Sequence, residues 1–138
     1  MCIFHASSQS HSFQDFLKAN PDFPVYQSYE KGDDISNAEE TSVQEDYGFS
    51  CDVSDRKWDD VAGQVVDMIS FLEVYTPLLQ QLKKTHPTID WRFDLPYECE
   101  LTETHFMQVN FLPPRVLQLA GTLGIGIELS LYWPSADE

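Results

Sequence analysis

The stretch Ile89 to Leu95 alternates strictly: Ile89, Trp91, Phe93 and Leu95 are large and apolar, whereas Asp90, Arg92 and Asp94 are charged. A period of two places the two sets on opposite faces of an extended strand, so one face needs an apolar cover and the other meets water. The cover lies directly upstream. Trp58, Val61, Ala62, Val65, Ile69 and Leu72 recur at helical spacing and form an apolar stripe, with Ser54 or Asp55 as the expected cap. Pro77 interrupts this pattern, and Thr76 before it is a suitable N-cap, so a kink or restart is expected there. Leu78, Leu79 and Leu82 continue the buried side, and Lys83 and Lys84 suit the negative end of the helix.

Similar reasoning places the remaining elements. Cys2 to Ala6 reads as a short strand, Phe13 to Ala19 as a small helix capped by Ser12 or the serines before it, and Pro24 to Tyr29 and Tyr47 to Val53 as strands. Beyond Pro96 the alternation partly resumes to Leu101, and Phe106 to Phe111 reads as a further strand. Pro113 and Pro114 open a last helix carrying Val116, Leu117 and Ala120. A strand follows in which Ile125, Ile127, Leu129 and Leu131 alternate with Gly126, Glu128, Ser130 and Tyr132, and an edge position would suit it. Gly124 and Gly126 look like a phosphate loop, but the order is helix, glycine, strand. A dinucleotide loop runs from strand to helix, so these glycines turn a corner. The order βαββ, long helix, ββ, helix, β implies an α+β fold in one domain, residues 1–138: a mainly antiparallel sheet with helices on one face, of the split βαβ or ferredoxin-like kind.

Charge separates the classes of function. Eight Lys plus Arg against 23 Asp plus Glu give a formal net charge of −15, which repels nucleic acid and anionic membrane and speeds encounter with a basic partner. The acids concentrate in "EKGDDISNAEETSVQED", residues 30–46, which reads as a long acidic surface loop. The opening MCIFHASSQS has no basic segment ahead of an apolar run, and no membrane-length apolar stretch occurs, so a cytoplasmic location is expected. Cys2, Cys51 and Cys99 each alternate with apolar neighbours and read as core thiols. His5, His11, His86 and His105 make no metal-ligand spacing, and neither a nucleophile elbow nor a CxxC pair occurs, so no metal, cofactor or catalytic residue is expected.

The runs "VVDMISFLEVYTPLLQQL", "WRFDLPYE" and "MQVNFLPPRVLQLAGTLGIGIELSLYWP" resemble an uncharacterised family of small bacterial proteins. In that family a strand leads into F-P-P-E-L-L, a leucine-rich helix and L-G-[IL]-x-[IL]-E-[IL]-S-[IL]-Y. The likeness covers roughly residues 60 to 133; Arg115 stands where the family often has an acid, and residues 30–46 find no counterpart in it. The family carries no catalytic motif to transfer. In size and acidity it is similar to the immunity proteins of polymorphic or contact-dependent toxin systems.

That similarity, with the charge, implies a protein that binds a basic toxin domain, such as a nuclease, and blocks its active site. The residues expected to meet it are Asp33, Asp34, Glu39, Glu40, Glu45 and Asp46 in the loop and, after these, Asp59 and Asp60 and the strand face of Asp90, Asp94, Glu98 and Glu100. A phage-encoded nuclease inhibitor would use the same electrostatics. The alternative is a small-molecule or enzymatic pocket between the sheet and the long helix, lined by Trp91, Arg92, Tyr97 and His105.

Overall fold

The computed structural model describes residues 1–134; the last four positions of the expected domain lie outside the described residues. Five strands form one open sheet in the order β2-β3-β1-β4-β5. These are β1 (Cys2–Ser8), β2 (Val25–Tyr29), β3 (Tyr47–Ser54), β4 (Asp90–Glu98) and β5 (Gly126–Tyr132), with helices α1 (Gln14–Ala19), α2 (Val61–Thr85) and α3 (Pro114–Leu123). β3 runs antiparallel to both β1 and β2, and β1 antiparallel to β4. Strands β1 and β2 are therefore parallel to each other with β3 between them, and β3 and β4 are parallel with β1 between them. That is the split βαβ arrangement expected from the element order. Helix α3 then carries the chain across to β5, which pairs in parallel with β4 at the sheet's edge.

Register explains the core. Phe4 stands opposite Cys51 and Phe93, and Ala6 opposite Phe49 and Trp91, so these six side chains share one face, and all are buried. Phe71 of α2 packs its ring 5.5 Å from Phe4, and Phe13, just before α1, packs edge-on to Phe49 at 5.0 Å. Each fully buried side chain of this size contributes about 1.5–3 kcal/mol. Cys2, Cys51 and Cys99 are free and buried, as their alternation implies.

The long helix differs from its expected form at three points. It starts at Val61, and Asp60 caps it by accepting a hydrogen bond from Gly63 N at 2.9 Å; Ser54 instead donates to Asp67. Its buried residues include Gln64, Met68 and Phe71 besides Val65 and Leu72, whereas Ala62 is exposed and Trp58 lies outside the helix, stacked on Tyr132 at 4.4 Å. It also runs unbroken through Pro77. That residue is exposed, so water can reach the Glu73 carbonyl left without its N–H partner, and Thr76 donates back to Leu72 O rather than capping a new helix.

Strand β4 likewise continues through Pro96, as far as Glu98 rather than Leu101, but the further strand expected at Phe106 to Phe111 does not form. It is β5, not Phe106 to Phe111, that takes the edge of β4. Gln108 pins this segment instead, donating to Glu98 O at 2.7 Å and accepting from Glu100 N at 2.9 Å. At the end of α3, Gly124 takes the left-handed conformation (φ 71°), and its N–H bonds back to the helix carbonyls, so the glycine corner is structural.

Candidate partner-binding surface

With the large apolar strand residues other than Ile3 mostly on the helix side, the other face of the sheet is left without a helix. Its composition follows from register. One row crosses four strands as Asp52, Ile3, Asp94 and Glu128; the next carries Ser50, His5, Arg92 and Gly126; a third carries Gly48, Ser7 and Asp90. Neighbouring strands lie about 4.8 Å apart, so the first row is a short ladder of carboxylates interrupted only by Ile3. Arg92 is the one Lys or Arg in the five strands, and it pairs with Glu128 at 2.9 Å. Ser130 donates to Asp94 at 2.6 Å, and His5 Nδ1 and Ser50 Oγ share a hydrogen bond of 2.7 Å. Glycine and serine keep the face shallow. At Gly48 this is required: a Cβ there would lie 2.3 Å from the Tyr29 ring laid across it.

The residues expected at the site are divided among three places. Asp90 and Asp94 stand on the uncovered face, and Glu98 continues their alternation at its far end. Asp33, Asp34, Glu39, Glu40, Glu45 and Asp46 lie beyond the end of the sheet where β2 passes to β3. That segment is a surface excursion as expected, but not featureless: Gly32 N donates to Gln44 O, Gln44 N to Asp33 O, and Ile35 N to Ser42 O, around a bridge between Asp34 and Val43. Some of its acids serve the turn itself. Asp33 accepts from Glu30 N, and Asp34 accepts from Ser36, whose hydroxyl and N–H hold its carboxyl below the ordinary carboxylate range. Asp59, Asp60, Glu98 and Glu100 lie at the opposite end of the sheet, where Asp60 is occupied as a helix cap and pairs with Arg56 at 3.5 Å. Asp52, Glu128 and His5 complete the uncovered face and were not among the expected residues. Asp52 and Glu128 each alternate with apolar neighbours, but only register shows that they share a row.

The space between the sheet and the middle of α2 is filled by Phe4, Phe71, Met68 and Phe93, and the four residues expected to line a pocket do not converge. Trp91 is buried on the helix side and donates to Gly124 O at 3.1 Å, Arg92 points to the opposite face, and His105 is exposed on the loop. Tyr97 does line a groove of about 510 Å³ beside the start of α2, together with Val61, Leu95, Phe106, Leu129 and Leu131. No group of three or more His, Cys, Asp or Glu among the described residues is arranged to hold a metal ion, and no helix is long and apolar enough to cross a membrane.

Fold and surface thus define a split βαβ domain, extended by an α3–β5 unit, with a bare acidic sheet face. The chain matches the family model described as DUF4279, a domain of unknown function, over residues 2–134, and it belongs to that family. The match takes in residues 30–46, which the resemblance seen from sequence had left outside. No curated protein and no solved structure matches the chain.

Proposed function

We propose that this protein is an immunity-type inhibitor that captures a basic toxin domain, such as a nuclease, on the uncovered face of its sheet. The observation that carries this reading is the row Asp52, Ile3, Asp94 and Glu128, set on a face whose strands carry one Arg and no Lys and with no helix over it. A sheet face of this kind offers a rigid array of carboxylates whose spacing is fixed by strand separation. Such an array matches the cationic surface that a nuclease presents to phosphates, and within a field of −15 it steers a basic partner toward the face. The 30–46 excursion supplies further acids past the β2–β3 end. The work is binding, with no bond made or broken in the partner.

The test is capture of partners from the source cell's lysate on the tagged protein at low and high salt, with mass spectrometry of what is retained. One basic protein in near-equal amount, weakened by salt and inactive when bound, is the expected result. A blank at both salts, or a retained partner indifferent to charge reversal on the face, would end this reading.

A further inference from the structure

The edge strand β5 carries two features that the acidic face does not explain. Its outer edge pairs with no strand among the described residues, so every second residue turns its N–H and C=O toward solvent. On the helix side Leu129 and Leu131 remain 52% and 54% exposed, and both line the groove beside α2. The wall of that groove is the 99–113 segment, whose Phe106, Met107, Val109 and Phe111 are all more than 70% exposed. Val109 and Phe111 line an adjoining hollow of about 350 Å³, which shares Val61 and Asn110 with the first. These six exposed side chains adjoin one another along the two hollows, and a contiguous apolar patch of this kind marks an interaction site more than scattered surface residues do.

We infer that β5 is a docking edge for an extended segment of another protein in which apolar and basic residues alternate. An added strand would continue the pleat of β5. Side chains on one side of it would lie beside Leu129 and Leu131 and enter the groove; those on the other side would lie beside Glu128, which also pairs with Arg92, with Asp94 one strand further in on the acidic face. Backbone pairing supplies affinity, the groove selects apolar residues at alternate positions, and the carboxylates select basic ones between them. Charge favours such a segment over a second copy of this chain. Pairing β5 with its own copy would join two acidic faces, each belonging to a molecule of charge −15. The inference goes beyond the capture reading and stands without it.

The test uses the whole protein and an eight-residue peptide of alternating leucine and lysine, followed by amide chemical shifts. Binding should move the amides of residues 126–132 and of residues 106–111. N-methylating alternate peptide bonds on the pairing edge leaves the peptide's charge and side chains intact and should weaken binding at least tenfold. Replacing lysine with glutamate should weaken it similarly. Undiminished binding of the N-methylated peptide, or no shift at β5, would overturn the inference. So would a dimer in sedimentation that L129D together with L131D abolishes, because the occupant would then be a second copy, and so would tighter binding of decanoate than of the peptide in the same groove. Should lysate capture return nothing while the peptide docks, the capture reading fails and this one holds; should a partner bind L129D/L131D as it binds the parent and the peptide not dock, the reverse is true.

Discussion

Gln64, fully buried on α2, donates from Nε2 to the carbonyl of Pro96 in β4 at 2.9 Å and so ties helix to strand where β4 has no backbone N–H to offer. Its Oε1 finds no partner among the described residues. A buried amide that is half satisfied carries a desolvation cost, so its two truncations should differ. Gln64→Ala loses the bond and leaves a cavity, and unfolding in urea should show about 2–4 kcal/mol lost. Gln64→Leu removes the unpartnered oxygen while keeping the volume, and should lose less than half as much.

Asp60 and Gly63 form the start of α2 as a pair. Removing the capping carboxylate in Asp60→Ala should cost about 1 kcal/mol, with little of that owed to the exposed Arg56 pair. Gly63→Ala ordinarily favours a helix interior by about 1 kcal/mol. Here a Cβ would come 2.3 Å from Asp60 Oδ2 and drive the cap off the helix end, so thermal unfolding should show a lower Tm than the parent.

Pro77 leaves the Glu73 carbonyl to water in the middle of α2. Pro77→Ala should restore that hydrogen bond without touching the core, raising stability by about 1–2 kcal/mol in the same urea measurement, since proline costs about 3 kcal/mol in an ordinary helix interior and the exposed face recovers part of it here.

Much of this architecture was legible because patterning is local. The alternation from Ile89 to Leu95, the helix over it and the glycine corner at Gly124 are each read from neighbours in sequence, and element order then implied the split βαβ arrangement. What sequence could not supply was competition for an edge. Phe106 to Phe111 has strand composition, but β5 takes the edge of β4 and the segment pairs with no strand among the described residues. At Pro77 the helix does not restart, for a related reason: whether a proline breaks a helix depends on which side faces water. The candidate surface suffered most. Acid density drew attention to residues 30–46, whereas Asp52, Asp94 and Glu128 are far apart in the chain and become one row only through register.

The buried thiols make stability fall in alkali. Burial pushes the Cys2 thiol up to about 12 and raises that of Cys51 as well, against roughly 8.5 for a free thiol. Protons are thus held more tightly in the folded state. The associated stability is fully present below about pH 8.5 and is lost as pH rises toward 12, at up to about 1.4 kcal/mol per pH unit for each thiol. Urea midpoints at pH 8, 9 and 10 should fall, and fall less steeply in Cys2→Ala and Cys51→Ala variants. A thiol reagent at pH 8 should label the native protein only as fast as it opens.

The acidic row makes a claim about position, and net charge can be held constant to test it. Asp52→Lys with Asp94→Lys moves the formal charge from −15 to −11, two reversals of two units each, and so does Asp15→Lys with Asp22→Lys around α1. If association is steered merely by total charge, both pairs should slow it alike. If the sheet face is the landing surface, the first pair should slow association with the captured partner by about 10-fold or more at low salt and flatten its salt dependence, while the second changes it by less than about 3-fold. Stopped-flow association rates at several ionic strengths separate the two. Asp52 and Asp94 lie on the face that packs against no helix, so both paired variants should remain folded, and circular dichroism checks this before the rates are compared.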